Sequence, residues 1–172
     1  MPERTGILFV CLGNICRSPL AEGVFLHLAR ERGIAERFLV DSAGTGSWHV
    51  GEQPDVRARA VAQRNRVQLV HRARVVDPAS DVKRFHWLIP MDRANLRDLL
   101  DLGAPRDRTR LLRSFDPSLA GKADHELEVP DPYYGGEHGF DEVFRMVWNA
   151  CVGLHDMLGA QPMNERRPPV TP

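Results

Sequence analysis

The stretch Ile7–Ser18 restricts this chain more than any other. A continuous apolar run, Ile7-Leu-Phe-Val10, passes directly through Cys11-Leu-Gly-Asn-Ile-Cys-Arg-Ser18 into an amphipathic segment. An apolar run without polar alternation, bounded by a Gly-containing loop, is the pattern of a short strand covered on both faces, as in a parallel sheet. From Pro19 to Arg32, Leu20, Val24 and Leu28 share one stripe with Ala21 and Phe25. Ser18 stands where an N-cap is wanted, Pro19 suits the first helical position and Gly33 ends the run. A strand that feeds a helix without a spacer commits the chain to βα units.

The pattern recurs. Phe38-Leu-Val40 reads as a second strand, followed by the small and polar loop Ser42-Ala-Gly-Thr-Gly-Ser47, and Pro54–Arg66 carries a helical pattern. Trp87-Leu-Ile89 is a third strand, Asp92 caps a helix with Leu96, Leu99 and Leu100 inward, and Arg110-Leu-Leu112 is a fourth strand. Phe140, Phe144, Val147, Cys151, Leu154 and Leu158 then mark one face of a long helix. Residues 1–159 are therefore expected to form a single α/β domain with a mainly parallel sheet. Ala160–Pro172, with its prolines and Arg166-Arg167, is expected to trail as a tail without packed structure.

Composition removes several function classes. With 172 residues the chain is one domain long, and its 23 basic and 23 acidic side chains cancel. That balance gives no footprint for nucleic acid or for an anionic membrane surface. The first apolar run, Ile7–Leu12, is far too short for a leader or a membrane span. Three cysteines are an odd number, which fits a reduced cytoplasmic protein whose reactive Cys is chemical rather than structural.

In an open parallel sheet, ligands bind beyond the carboxyl ends of the strands, which points to the loop starting at Cys11. Its amides and the free N–H groups of the following helix can converge on an anion, with the positive helix end behind them. Gly13 lets the backbone bend where a Cβ would obstruct, and Arg17 offers a fork that fits two oxygens of a phosphate. The same field favours a thiolate, so Cys11 is expected to be nucleophilic at neutral pH, with Ser18 donating its hydroxyl to the sulfur. A buried structural Cys before an ordinary strand–helix turn is the bland alternative. A leaving group also needs an acid, and Asp131 in Pro130-Asp-Pro-Tyr-Tyr-Gly-Gly136 is the candidate, stiffened by its flanking prolines. Tyr133 and Tyr134, the only tyrosines, are placed to line a slot for a planar group, or simply to pack.

Cys11–Ser18 with Pro19-Leu-Ala-Glu22, Asp41-Ser-Ala-Gly44, Arg72-Ala-Arg74, Met91-Asp-Arg-Ala-Asn-Leu96 and Asp131–Gly136 together resemble the low-molecular-weight protein tyrosine phosphatase family, from about Gly6 to Leu158. The resemblance implies a four-stranded parallel sheet flanked by helices on both faces. It also implies a two-step phosphatase without metal or cofactor, acting as a monomer on phosphotyrosine-containing proteins. Cys11 is then the nucleophile, Arg17 the phosphate clamp and Asp131 the general acid and later base. Leu12, Gly13, Asn14, Ile15, Cys16 and Ser18 complete the phosphate-binding loop. Asn14, Ser18, Ser42 and His71 form a network that fixes it, Asp92 helps hold Arg17, and Trp48 faces Tyr133 and Tyr134 across the cleft.

The histidines are scattered and no His/Cys/Asp group has metal-ligand spacing, so no metal site is expected. Cys16 either resolves an oxidised Cys11 as a disulfide or fills space under the loop, and Cys151 belongs to the core. Arginine phosphatase-like relatives tend to carry Thr at the position of Ile15. Arsenate reductase-like relatives relay a disulfide through mid-chain cysteines, and none lies between Cys16 and Cys151 here. A non-catalytic phospho-binding module is the third alternative.

Overall fold

A computed structural model of the chain describes residues 3–136 and 138–160. The expected tail, except Ala160, lies outside the described residues. Strand β1 (Thr5–Cys11) is buried along its whole length. Its side chains divide by parity: Ile7, Phe9 and Cys11 enter one apolar cluster, Leu8 and Val10 another. Strands β2 (Phe38–Gly44) and β3 (Trp87–Pro90) pair with it in parallel, giving the order β2-β1-β3.

The first cluster is covered by helices α1 (Arg17–Glu31), α2 (Val56–Arg64) and, further along the chain, α5 (Gly139–Ala160). On the opposite face, Val82 of helix α3 (Asp81–Arg84) and Leu99 of helix α4 (Arg93–Asp101) pack on Leu8, Val10 and Leu88. The apolar stripe expected on α5 is all in the first cluster, Cys151 included. Each fully buried Leu or Val there stabilises by about 1.5–3 kcal/mol relative to exposure, so packing rather than propensity fixes this helix. His155, 1% exposed, stacks on Phe25 with ring centroids 3.9 Å apart, a packing histidine. Among the described residues no helix is long and apolar enough to cross a membrane.

Among the described residues the sheet has three strands, not the expected four. Arg110–Leu112 approaches β3 through one isolated parallel bridge, Leu88 to Thr109, with the Arg110 N–H donating to Leu88 O at 3.2 Å. The next bridge would require an outward N–H from position 90, which is proline and has none. The chain instead coils into a 3₁₀ turn at Leu112–Phe115. Leu111 and Leu112 are apolar because they enter the core, at 3% and 0% exposure, not because they extend a sheet.

Three boundaries near the first loop also differ. Helix α1 begins at Arg17 rather than Pro19, and its N-cap, Cys16, makes no side-chain capping bond. Ser18, expected as the cap, lies inside the first turn with its hydroxyl turned to other partners. The start of α1 is thereby left without a side-chain cap from Cys16. Strand β2 continues through Gly44, absorbing half of the small-residue loop, and α2 starts at Val56 behind an Asp55 cap.

Candidate active site

Cys11 ends the central strand, 2% exposed, paired in register with Gly44. The chain beyond it stays on the β2 side, because Thr45 N–H donates to Cys11 O and Gly46 N–H to Leu12 O, both at 2.9 Å. The bend expected at Gly13 is made one residue later, where Asn14 adopts φ 57°. Asn is among the few non-Gly residues that tolerate this left-handed conformation. The turn aims the Asn14 N–H at Cys11 Sγ, 3.3 Å away. Ser18 Oγ lies 2.9 Å from the same sulfur. Because Ser18 Oγ accepts from Asn14 Nδ2 at 2.8 Å, its own hydrogen is free to point at the sulfur.

Asn14 is 1% exposed and uses its whole amide. Nδ2 also donates to Ser42 Oγ at 3.0 Å, while Oδ1 accepts from His71 Nε2 at 2.7 Å and from the Arg74 N–H at 3.0 Å. Ser42 Oγ in turn lies 3.3 Å from His71 Nε2. Asn14, Ser18, Ser42 and His71 are thus brought together behind the loop.

Burial pushes His71 below its ordinary value, with Arg74 adding to the effect and Asp41 opposing it. On the far side of its ring, Nδ1 lies 3.4 Å from Glu22 Oε1 and 3.7 Å from Asp41 Oδ1. Burial first, then the neighbouring Asp41, pushes the Glu22 carboxyl up to about 8. The ligand-type atoms of Glu22, Asp41 and His71 lie within 4.8 Å of one another, a cluster that chain spacing does not reveal. Asp41 in it is paired with Arg74, whose Nε is 3.0 Å from Oδ2, and burial holds the Glu22 carboxyl toward its neutral form.

Arg17, 2% exposed, enters the site from the first turn of α1. Its Nη1 donates to Asp92 Oδ2 at 2.6 Å and to Val129 O at 3.1 Å. Burial alone would weaken its charge, but Cys11, Asp92 and Asp131 together hold the guanidinium above its ordinary pKa. Asp92 does two jobs at once. Oδ1 accepts the Asn95 N–H at 2.8 Å in a capping box on α4, while Oδ2 fixes Arg17. Asp131 faces the other end of the guanidinium, with Oδ2 3.6 Å from Nη2. Its Oδ1 accepts the Tyr133 N–H at 3.0 Å, which ties the acid to the tyrosine beside it.

These groups open into a cleft of about 380 Å³, floored by Cys11, Gly13, Ile15 and Arg17 and walled by Leu12, Trp48, His49, Asp131, Tyr133 and Tyr134. The aromatic wall expected from Trp48, Tyr133 and Tyr134 is present. Two further residues shape it. Gly46 gives the Trp48 ring its seat, since a Cβ there would collide with the indole. His49 lies over Gly13, whose added Cβ would meet its ring at 3.1 Å, and pairs with Glu52 at 2.7 Å. The close spacing of His49 and Glu52 was the available signal. Cys16 also lines the cleft, and burial pushes its thiol well up, which keeps it protonated.

The sequence pattern of the low molecular weight phosphotyrosine protein phosphatases matches residues 6–164. Low molecular weight protein-tyrosine phosphatase A of Mycobacterium tuberculosis is 43% identical over 158 residues, covering 92% of this chain and 94% of that protein. A Streptomyces coelicolor low molecular weight protein-tyrosine-phosphatase is 45% identical over 152 residues, covering 86% of this chain and 90% of its own. The crystal structure of a protein tyrosine phosphatase from Entamoeba histolytica with Hepes in its active site superposes with a TM-score of 0.81 at 39% identity. It covers 90% of this chain and 97% of that one. A match that runs through the cysteine loop, the network behind it and the acid loop leaves one assignment: the chain belongs to the low molecular weight phosphotyrosine protein phosphatase family.

Proposed function

We propose that the chain hydrolyses phosphotyrosine in protein substrates, and small aryl phosphates, through a cysteinyl-phosphate intermediate. The observation that carries this is the environment of Cys11 Sγ, where the Asn14 N–H and the Ser18 hydroxyl converge on one sulfur in a cleft also lined by Arg17 and Asp131. These two contacts hold the attacking sulfur in place at the foot of the cleft.

The phosphate dianion sits in the loop amides and on the free edge of Arg17, whose Nη1 is already committed to Asp92 and Val129. The sulfur attacks phosphorus in line. The bond to the aryl oxygen breaks, and Asp131 gives that oxygen its proton. Water then attacks phosphorus, Asp131 takes a proton from it, the S–P bond breaks and the thiolate returns with inorganic phosphate released. Fixed donors around the equatorial oxygens supply most of the stabilisation, because little covalent work is asked of the protein. Ile15 in the floor and Tyr133 and Tyr134 in the wall suit an aromatic leaving group better than a guanidinium.

Rapid mixing with para-nitrophenyl phosphate tests the two-step course. A burst of nitrophenol stoichiometric with enzyme is expected, unchanged by EDTA, and a linear trace at every substrate concentration together with metal-dependent turnover would reject it. Matched phosphotyrosine and phosphoarginine peptides test the substrate, and preference for the second would transfer the chain to the arginine phosphatases.

A further inference from the structure

We propose that Arg57 is a positioning residue for the proton donor: clamped by Asp55 and stacked between Tyr133 and Phe140, it fixes the loop carrying Asp131 relative to the phosphate-binding loop. This rests on the reading of Asp131 as the acid.

The linkage can be followed atom by atom. The Asp55 N–H donates to Ile15 O at 2.8 Å, so the start of α2 is fastened to the floor of the cleft. The Asp55 carboxylate caps α2 through the Arg57 N–H at 2.8 Å, and it grips the same residue's guanidinium in a fork, Nε to Oδ1 and Nη2 to Oδ2, both 3.0 Å. That fork sets the orientation of the guanidinium plane. Its Cζ lies 4.7 Å from the centroid of Phe140, which is 3% exposed at the start of α5, and 5.5 Å from that of Tyr133. A planar cation can bridge two rings in this way, whereas an ammonium cannot reproduce the fork and the stacking together. Tyr133 then passes the constraint on, because its N–H holds Asp131 Oδ1. Tyr134, 91% exposed, meets only the edge of Tyr133 and adds nothing comparable.

The Asp55–Arg57 pair is two residues apart in sequence and partly open to solvent, the kind of pair that contributes little to global stability. Its removal should therefore be felt in proton donation rather than in folding. Misplacing a catalytic group by about 1 Å can cost as much as ~10²-fold.

The experiment measures kcat/KM for Arg57→Ala and Arg57→Lys, each alone and combined with Asp131→Ala, on aryl phosphates whose leaving groups span good to poor. Arg57→Ala should lose about tenfold on phenyl phosphate, little on 2,4-dinitrophenyl phosphate, and so steepen the dependence on leaving-group basicity. Arg57→Lys should recover only part of the loss. Melting temperature and inhibition by inorganic phosphate should stay near wild type, and Arg57→Ala should add nothing once Asp131 is alanine. An equal loss on every leaving group, or a loss that persists in the Asp131→Ala background, would make Arg57 a binding or folding residue and overturn the proposal. If Asp131→Ala itself spares the poor leaving groups, the assignment of the acid falls and takes this proposal with it.

Discussion

In the loop from Cys11 to Ser18 only Leu12 is exposed, and the Asn14 amide alone bonds α1, β2 and the segment at His71–Arg74. In the loop from Pro130 to Gly136 only Pro132 is buried. That loop is fastened through Val129, whose N–H and C=O meet Met91 and Arg17, through the Tyr133 stack and by a short turn at Gly135. The two loops face the same cleft, and their construction follows from what each must do. Donors that stabilise a developing charge help most when they need no reorganisation, so the first loop is locked from behind. On the proposed mechanism the acid changes roles within one cycle, from donor to acceptor, while an aryl group leaves past it. An exposed loop with few anchors permits that.

If this contrast is right, substitutions in the first loop should damage all substrates alike, and those in the second should discriminate by leaving group. Cys11→Ser is the most severe test. Turnover of para-nitrophenyl phosphate should fall to the buffer background, because the attacking atom is gone, while vanadate still binds the intact loop in a calorimeter. Measurable steady turnover by this variant would mean that some other group attacks phosphorus. Asp131→Ala comes next, with a loss of about 10²–10⁴-fold on phenyl phosphate, a much smaller loss on 2,4-dinitrophenyl phosphate, and unchanged phosphate inhibition. A loss independent of the leaving group would erase the contrast between the loops.

The sequence exposed the first loop far better than its supports, and the reason is distance along the chain. The βα unit, the cysteine at its junction and the arginine at the helix start are local features, readable from an apolar run and its boundary. The hydrogen-bond partners of Asn14 lie up to 60 residues away and those of Arg17 up to 112, so no spacing announces them. Only likeness to a family pointed to Ser42, His71 and Asp92. Leu111 and Leu112 misled because apolar character reports burial, not strand, and Pro90 silences the edge they would have joined. Gly13 was legible as a place where a Cβ would obstruct, here against the His49 ring at 3.1 Å, but the left-handed turn itself falls on the tethered Asn14.

Asn14→Ala tests whether the locking itself matters. It removes four side-chain hydrogen bonds, two of them fully buried, and places alanine at φ 57°. At about 0.5–1.5 kcal/mol per bond, not fully additive, plus ~1 kcal/mol for the backbone, the variant should lose roughly 2–4 kcal/mol. That corresponds to a melting shift on the order of 5–15 °C. Activity should fall by a similar factor on good and poor leaving groups. Asn14→Gly should recover the backbone part of the stability and little of the activity. A leaving-group-dependent loss would show that the first loop reaches into proton transfer, and the separation of duties would fail.

Glu22→Gln probes the same scaffold with the smallest effect on turnover. The folded Glu22 carboxyl is pushed up to about 8 by burial and by Asp41, from an ordinary 4.5. An unfolded chain therefore releases this proton at lower pH than the folded one. Between roughly pH 4.5 and 8 the unfolded state binds fewer protons, so this group's stabilising contribution is complete below that range and is lost as pH rises through it. His71, held below its ordinary value by burial, works in the opposite sense: its contribution is present above that value and is lost as pH falls. Glutamine keeps the shape and cannot ionise. The variant should lie close to wild type near pH 5, exceed it by on the order of 4 kcal/mol at pH 8, and keep turnover near wild type. Urea denaturation at pH 5, 6.5 and 8 reads the difference directly. Parallel curves for the two proteins would show that Glu22 ionises as freely in the fold as outside it, and the proton assigned to the cluster behind the loop would have to be removed.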